Sequence, residues 1–293
     1  MPPTYVAERR ESTIARGAIT AMIEVIFLGV GAAIPMRGGS NACYLVRANG
    51  VGLLIDCGPA ILQQLDAVGI SPTAITHVFF THRHGDHSLG YPMLMLWHEL
   101  NAEDGHRPPT LIASALTFGV LDALMDIAFG HVNGVAEQAP RIVVPQFAVH
   151  QTQIHPDILL TTVPMAHADF APALGLRIEV RGQGVLAFTG DTLPNANIIE
   201  VLARDADLLV HESTYCATLH PAYAEGAYGH STAQIAGRNA RAANAKRLAL
   251  VHVEAMYAGR EQALLEEARR EFAGEVCLPV AGLCLTIGAA LTS

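Results

Sequence analysis

Six residues, from His82 to His87, constrain this chain more than any other stretch, because they place three imidazoles and a carboxylate in one short segment. They follow the run Ile75 to Thr81, whose β-branched and aromatic residues predict a buried strand. Unpaired imidazoles and carboxylates are costly to bury, and solvated loops favour Lys, Glu or Ser over clustered His. Neutral imidazole nitrogens and carboxylate oxygens suit zinc and similar divalent ions. The stretch therefore predicts a metal site at a strand end.

Composition limits the classes of protein that this chain can form. Its 293 residues are 51% hydrophobic, which is ample for a sizeable core. No apolar run reaches the ~18 residues that span a bilayer. Because no signal-peptide pattern follows Arg9-Arg10, we expect a cytoplasmic protein without a membrane partner. The formal net charge is −9 and no run of Lys and Arg offsets it, so nucleic acid is not expected as a partner.

The cysteines give no sign of a disulfide framework. There are five, an odd number, and no two of them have CxxC spacing. We therefore expect reduced and mostly buried thiols at Cys43, Cys57, Cys216, Cys277 and Cys284.

Hydrophobic patterning predicts strands and helices in two similar halves that meet near residue 170. Strands are predicted at residues 23–29, 41–47, 51–56, 75–81, 110–113, 141–144, 147–150, 158–165, 174–180, 184–189, 207–210, 248–253 and 276–287. Helices are predicted at residues 60–68, 89–100, 114–129, 195–203, 231–243 and 261–272, with Ser114 as an N-cap and a capping box at 231–234. This order predicts an α/β (α+β) fold with two sheets packed face to face and helices outside, in four layers. We expect one domain at residues 22–293 and a loosely ordered N-terminal extension at residues 1–21.

Further metal ligands are expected at strand ends, where side chains can be aimed rigidly. His167 follows the strand at 158–165, Asp191 follows the strand at 184–189, and His252 lies in the strand at 248–253. Each has an ordinary structural alternative, since a lone His often only forms hydrogen bonds and Gly-Asp often only forms a turn. Their weight as ligands comes from acting together.

Taken together, these residues resemble the signature of the metallo-β-lactamase superfamily, HxHxDH followed by a distant His, an Asp and a final His. The resemblance extends from about Met22 to the C-terminus and includes the segment Leu54-Ile55-Asp56-Cys57-Gly58. It implies a four-layer αββα sandwich of two mixed sheets. It also implies two divalent metals, zinc first with manganese or iron as alternatives, and a hydroxide between them that performs hydrolysis. One metal would be bound by His82, His84 and His167, the other by Asp86, His87 and His252, with Asp191 bridging.

Two further stretches resemble the ribonuclease Z branch of that superfamily, which also contains phosphodiesterases and arylsulfatases. They are His211-Glu212-Ser213-Thr214 and Gly229-His230-Ser231-Thr232. The resemblance implies that His230 protonates the leaving group, that Glu212 orients His230, and that Asp86 belongs to the catalytic set. Alternatively, His230 is a surface residue at a helix start and His211 only braces a strand end.

The chain also departs from that branch. Ribonuclease Z carries a long glycine- and proline-rich arm for tRNA between the third His and the bridging Asp, whereas here a short hairpin separates His167 from Asp191. Ser and Arg for phosphate binding are replaced after His252 by Val253-Glu254-Ala255-Met256-Tyr257. We therefore expect a small ester substrate, a phosphodiester or aryl sulfate, ahead of tRNA processing. A lactone, carboxylic ester or β-lactam is the alternative on the same metals, and a non-catalytic metal-binding module is a third hypothesis. Candidates for an apolar pocket wall are Met93, Trp97, Phe129, Met256 and Tyr257, all of which could equally be core. A homodimer is compatible with the composition.

Overall fold

Runs of apolar residues build two sheets of seven strands each. The computed structural model describes residues 22–35, 39–101, 106–130, 138–168 and 171–288. In chain order the strands are β1 Ile23–Gly29, β2 Cys43–Ala48, β3 Val51–Ile55, β4 His77–Phe79, β5 Thr110–Ser114, β6 Arg141–Val144, β7 His150–His155, β8 Ile158–Ala168, β9 Ala171–Val180, β10 Gly184–Phe188, β11 Leu208–Glu212, β12 Arg247–Val251, β13 Glu275–Cys277 and β14 Cys284–Ile287. The first sheet has the order β14-β1-β2-β3-β4-β5-β6, and the second has the order β13-β12-β11-β10-β9-β8-β7.

Helices cover the outer face of each sheet. In the described residues they are α1 Ile61–Ala67, α3 Tyr91–Leu100, α4 Ala115–Phe129, α5 Ala233–Ala242 and α6 Glu261–Glu271, with a π-helix at Ile198–Leu202. The short helix α2 Gly85–Ser88 instead follows the loop after β4. One apolar cluster, which includes Phe27 and Phe188, fills the space between the two sheets. A second joins the first sheet to α1, α3 and α4, and a third joins the other sheet to α5, α6 and the π-helix. The predicted four-layer α/β sandwich is confirmed.

The sheet topology brings several strand ends to one edge of the sandwich. β3 and β4 are parallel neighbours in the first sheet, and β10, β11 and β12 are parallel neighbours in the second. β8 is antiparallel to β9, which is antiparallel to β10, so β8 runs in the same direction as β10. Because carboxyl ends of parallel strands meet at one edge, the residues that follow them can converge.

The chain turns sharply where three of these strands end. Asp56 follows β3 with φ 61°, His252 follows β12 with φ 58°, and Gly190 follows β10 with φ 58°. The left-handed region is uncommon for residues other than Gly. Asp56 and His252 therefore have a strained backbone that redirects their side chains at the strand ends.

Some predicted boundaries were wrong. The chain passes from the first sheet to the second between β6 and β7, not near residue 170, because β7 and β8 pair with β9. The strand predicted at 147–150 is β7 at His150–His155, since Phe147 is exposed ahead of it. The N-cap of α5 is Thr232, whose hydroxyl accepts a hydrogen bond from Ile235 N, and not Ser231.

The other structural predictions concern an N-cap, the cysteines, membrane helices and the N-terminal extension. Ser114 caps α4 as predicted. All five cysteines are free, but Cys277 is half-buried and Cys284 is exposed. Among the described residues, none of the helices has both the length and the apolar character needed to cross a membrane. The predicted extension at residues 1–21 lies outside the described residues.

Candidate metal centre

The seven residues predicted as ligands meet at the edge where the strand ends converge. His82, His84, Asp86 and His87 lie in the loop after β4 and in α2, His167 lies near the end of β8, and Asp191 and His252 follow β10 and β12. They form two groups whose ligand atoms lie within 4.8 Å of one another, namely His82, His84, His167 and Asp191, and Asp86, His87, Asp191 and His252. Both sheets therefore contribute to one site, and Asp191 belongs to both groups.

In the first group, three imidazole nitrogens face one another. His82 Nε2 lies 3.0 Å from His84 Nδ1, and His167 Nε2 lies 3.2 Å from the same atom. Asp191 Oδ2 lies 3.6 Å from His82 Nε2.

In the second group, two imidazoles face two carboxylates. His87 Nε2 lies 3.2 Å from Asp86 Oδ2 and 3.4 Å from Asp191 Oδ2. His252 Nε2 lies 3.5 Å from Asp86 Oδ2 and 3.5 Å from Asp191 Oδ1. The donors of both groups, imidazole nitrogens and carboxylate oxygens, are those that zinc accepts.

A hydrogen-bond network around Asp56 fixes which nitrogen of His82 and of His87 carries the proton. The buried Asp56 carboxylate accepts from His87 Nδ1 at 2.7 Å and from the Thr81 hydroxyl at 2.9 Å. Because Thr81 Oγ1 donates to Asp56, it accepts from His82 Nδ1 at 3.0 Å. In both imidazoles the lone pair is therefore on Nε2, the atom that faces the site.

The same logic applies to the two remaining imidazoles that face the site through Nε2. The Thr214 hydroxyl donates to Glu212 Oε2 at 2.9 Å and so accepts from His252 Nδ1, also at 2.9 Å. His167 Nδ1 donates to the carbonyl of Gly229 at 2.9 Å. A carbonyl can only accept, so the lone pair of His167 is on Nε2, like that of His252.

The unpaired nitrogens and the pKa values of the imidazoles show whether metal ions fit the site. His87 Nε2 and His252 Nε2 are buried and have no hydrogen-bond partner within the described part of the chain. Buried nitrogens in this state are costly unless a cation binds them. Burial lowers the pKa of His82 and of His167, which keeps the two imidazoles in the neutral form that binds metals. The arrangement fits two divalent ions that share Asp191.

The two carboxylates of the site are ionised. Burial opposes this, but the surrounding imidazoles, His252 and His87 foremost, hold the pKa of Asp191 well below its usual range. Burial raises the pKa of Asp86, but the close approach of His252 and His87 outweighs it, and the pKa of Asp86 is lowered. Negative charge at the centre favours a bound cation.

His230 and Glu212 stand beside the two groups. His230 Nδ1 lies 3.3 Å from Glu212 Oε1 and 4.0 Å from Asp191 Oδ2. Burial favours neutral imidazole, but the charge of Glu212 prevails and raises the pKa of His230 to about 9. Glu212 is fixed by backbone donors, accepting from Ser231 N at 2.8 Å and from Thr192 N at 3.1 Å. The imidazole is therefore held protonated at the site by an immobile carboxylate.

Other predicted residues lie elsewhere. His211 is buried away from the two groups, with its Nε2 2.9 Å from Asn239 Nδ2, so it braces the end of β11. Tyr257 is fully buried, and its hydroxyl accepts from Cys216 N at 3.0 Å, so it belongs to the core, which is the alternative expected for it beside a place in a pocket wall. Met93 and Met256 are exposed, at 45% and 40%.

Reasoning from the sequence missed the residues that hold the imidazoles. In the sequence, Asp56 is only one residue of the segment from Leu54 to Gly58, and nothing near Thr81 or Thr214 indicates that they contact imidazoles. The available signal was a carboxylate directly after the buried strand β3, because a buried charge needs partners.

The fold, two sheets with helices outside, and the paired His/Asp groups together define a metal-dependent hydrolase of the metallo-β-lactamase class. Ribonuclease Z of Methanothermobacter thermautotrophicus is 32% identical over 288 residues, which cover 86% of this chain and 92% of that protein. Ribonuclease Z of Mycobacterium avium is 32% identical over 267 residues, which cover 87% and 95%. A family model described as anti-Pycsar protein Apyc1 matches residues 23–227. The chain therefore belongs to that family and to the ribonuclease Z-like metallo-β-lactamase superfamily.

Solved structures share the fold. YhfI, a metallo-β-lactamase fold protein from Bacillus subtilis, superposes with a TM-score of 0.74 at 21% identity and covers 91% of this chain and 99% of its own. The short form of human tRNase Z gives 0.71 at 23% identity, with 91% and 100% covered. A diphosphatase of the PhnP family gives 0.68 at 20% identity, with 92% and 100% covered. At these identities the likeness concerns the fold alone.

Proposed function

We propose that this protein is a dinuclear zinc phosphodiesterase that acts on a small substrate. The observation that carries the proposal is the His230–Glu212 pair, in which the imidazole Nδ1 lies 3.3 Å from a buried carboxylate, directly beside the two ligand groups. Hydrolysis of a phosphodiester needs a proton for the departing oxygen, and an imidazole can supply it near neutral pH. The nitrogen and oxygen donors favour zinc, although manganese and iron accept the same ligands.

The side chains of the site have two roles, metal binding and proton donation. His82, His84 and His167 would hold one ion, and Asp86, His87 and His252 the other, with Asp191 between them. Two such ions, when bound, supply a water-derived nucleophile at neutral pH and Lewis acidity for the phosphoryl group. Glu212 holds His230 through Nδ1, which leaves Nε2–H to protonate the departing oxygen.

The relatives support phosphodiester chemistry, because a ribonuclease by name acts on RNA, a polymer of phosphodiesters. RNA is accordingly the second candidate substrate, favoured by the 92–95% coverage of these relatives. The net charge of −9 disfavours a polyanion, since Lys and Arg neutralise the phosphates in nucleic-acid complexes. We therefore place the small phosphodiester first.

The test of the acid uses leaving groups of different basicity. His230→Asn should lower kcat about 100-fold or more on methyl phenyl phosphate, because phenolate leaves poorly without a proton. The loss should be much smaller on methyl 4-nitrophenyl phosphate, whose leaving group needs little protonation. His150→Asn, at a half-buried imidazole in β7, is the matched control. Equal losses on both esters would contradict the role of His230.

The substrate class is tested on the zinc-loaded protein. Turnover should be faster on methyl 4-nitrophenyl phosphate than on 4-nitrophenyl sulfate, a lactone panel or an unprocessed tRNA precursor. Faster hydrolysis of lactones or aryl sulfates would replace the phosphodiester with that class. Cleavage of the RNA at low concentration, with slow turnover of the small ester, would make the protein a ribonuclease.

A further inference from the structure

Tyr228 is an outlier in both exposure and backbone conformation. Its side chain is 79% exposed, which is unusual for a large aromatic residue. Its φ is 51°, in the left-handed region that a bulky side chain adopts only at an energetic cost. Strain of this kind persists where the surrounding structure imposes it, and it concentrates at functional sites.

The strain has a structural origin in a tight turn. Ala227 N donates to the carbonyl of His230 at 3.0 Å, and His230 N donates to the carbonyl of Ala227 at 2.9 Å. Tyr228 and Gly229 are the two corner residues, both with positive φ, as in a type I′ turn. Asn or Gly is the ordinary choice at the first corner, so Tyr is retained there against local preference.

Two residues of the turn contact the metal centre. The carbonyl of Gly229 accepts a hydrogen bond from His167 Nδ1. His230 forms an ion pair with Glu212. The backbone at Tyr228 is therefore fixed relative to the ligands and to the proposed acid.

Tyr228 does not stand alone. Its ring centroid lies 6.0 Å from that of Tyr223 and 6.5 Å from that of Tyr215, and these two are 4.6 Å apart. The ring of Tyr215 lies 6.2 Å from that of His230. We refer to Tyr215, Tyr223 and Tyr228 as the tyrosine wall. It begins at the proposed acid and extends outward to an exposed ring.

We propose that the tyrosine wall binds a planar ring of the substrate, an aryl group or a nucleobase, by stacking it on Tyr228 next to His230. This inference rests on the proposed function, since it assumes that the phosphoryl group is held at the metal centre. Aromatic side chains bind planar rings through offset or edge contacts and through exclusion of water.

Charge near the wall favours an uncharged ring there over the phosphate. Burial is the main cause that raises the pKa of Tyr215 to about 12, and the negative charge of Glu254 is the next. Glu254 N lies 3.4 Å from the carbonyl oxygen of Thr214, the residue before Tyr215, so the charge of Glu254 is close to the wall and disfavours an anion there. The phosphate stays with the metals and the ring occupies the wall.

The experiment measures binding by calorimetry on the zinc-loaded protein with two pairs of probes. Phenyl phosphate is compared with methyl phosphate, and adenosine 5′-monophosphate with ribose 5-phosphate. Tyr228→Asn should weaken binding of the ring-bearing probes about tenfold and leave the ring-free probes unchanged. The pair that shows the larger loss identifies the ring as aryl or nucleobase. Tyr228→Phe should retain the wild-type preference.

Tyr228→Asn also distinguishes an effect on binding from an effect on folding. Because Asn accepts the left-handed corner readily, Tyr228→Asn should raise Tm while it lowers ring affinity. Phe147→Ala removes another ring that is 78% exposed, far along the chain in the segment before β7, and should change neither quantity. Equal loss for ring-bearing and ring-free probes, or no preference for rings in the wild type, would overturn the proposal. Ring-selective binding without phosphodiester hydrolysis would instead refute the proposed function and leave the wall in place.

Discussion

Asp56 accepts a hydrogen bond from His87 at 2.7 Å although the two residues are 31 positions apart. Through Thr81 the same carboxylate also orients His82. Glu212 has the matching position in the second sheet, where it contacts His230 directly and orients His252 through Thr214. Each sheet thus supplies one buried carboxylate and one threonine hydroxyl that fix two imidazoles.

Replacement of Asp56 should weaken metal binding. Asp56→Asn removes the charge that holds His87 Nδ1–H, and outer partners of this kind typically affect metal affinity 10- to 100-fold. Competition with a chromophoric zinc chelator measures the change. Asp66→Asn, at an exposed carboxylate in α1, is the control and should leave zinc affinity unchanged. Unaltered zinc binding by Asp56→Asn would show that Asp56 serves only the fold.

Removal of zinc should lower thermal stability, because the ligands come from both sheets. A ligand that binds only the native state at 100 times its Kd stabilises it by about 2.7 kcal/mol. For a chain of this size, that corresponds to a fall in Tm of about 5–10 °C on chelation. Asp191→Asn should abolish most of this increment, since Asp191 lies in both ligand groups. A Tm that is indifferent to chelation would argue against a site that joins the sheets.

Substitution of Gly229 should disturb the site more than its backbone strain alone explains. A Cβ at Gly229 would lie 2.7 Å from the carbonyl oxygen of His167 and 2.8 Å from its Nδ1. Gly259→Ala is the matched control, because Gly259 also has a positive φ but nothing within 4 Å. Urea unfolding should show a loss of about 1–2 kcal/mol for the control and more for Gly229→Ala. Zinc affinity should fall only in Gly229→Ala, and equal behaviour of the two variants would contradict the argument.

His98 should make stability depend on pH. Its side chain is 1% exposed, and neither ring nitrogen has a hydrogen-bond partner among the residues that the structure describes. Burial, with some effect of His106, lowers its pKa to about 4. Between pH 6.5 and pH 4 the unfolded chain binds a proton that the folded chain does not, so stability falls as pH falls. The loss from this residue between pH 7 and pH 4.5 is about 2 kcal/mol.

His98→Leu isolates this contribution from that of the other titrating groups. The difference in free energy of unfolding between His98→Leu and the wild type should widen by the same amount as pH falls, measured by urea denaturation. A difference that stays constant from pH 7 to pH 4.5 would show that His98 acquires its proton without cost.

The sequence predicted the layers and the seven converging residues because their signals are local. Buried strands read as apolar runs, and the segment from His82 to His87 has few explanations other than a metal site. The residues that orient the imidazoles could not be predicted from local patterns. The contact of Thr214 with His252, for example, depends on how β11 and β12 align. The hydrophobic pattern of β7 and β8 likewise could not predict which sheet they join, because a strand has the same pattern in either sheet.

The tyrosine wall shows a second limit. Tyr215, Tyr223 and Tyr228 have no helical or strand spacing. They meet beside His230 because Tyr215 forms backbone hydrogen bonds with Ser231 and Ala233 and because the chain turns at Gly229. The sequence Tyr228-Gly229 is an ordinary one for a turn. What distinguishes it is the positive φ of Tyr228, which the sequence does not predict.

The pairing of the first and last strands has a consequence for engineering. Ile23 lies directly opposite Ile287 in the β1–β14 ladder, so the two ends of the sandwich are neighbours about 5 Å apart. A short linker could join them, and a new start could be opened at the exposed Asn49-Gly50 hairpin without breaking either sheet. Such a circularly permuted chain would keep the seven ligands in their present order, because all of them follow Gly50, but β1 and β2 of the first sheet would be synthesised after the whole second sheet.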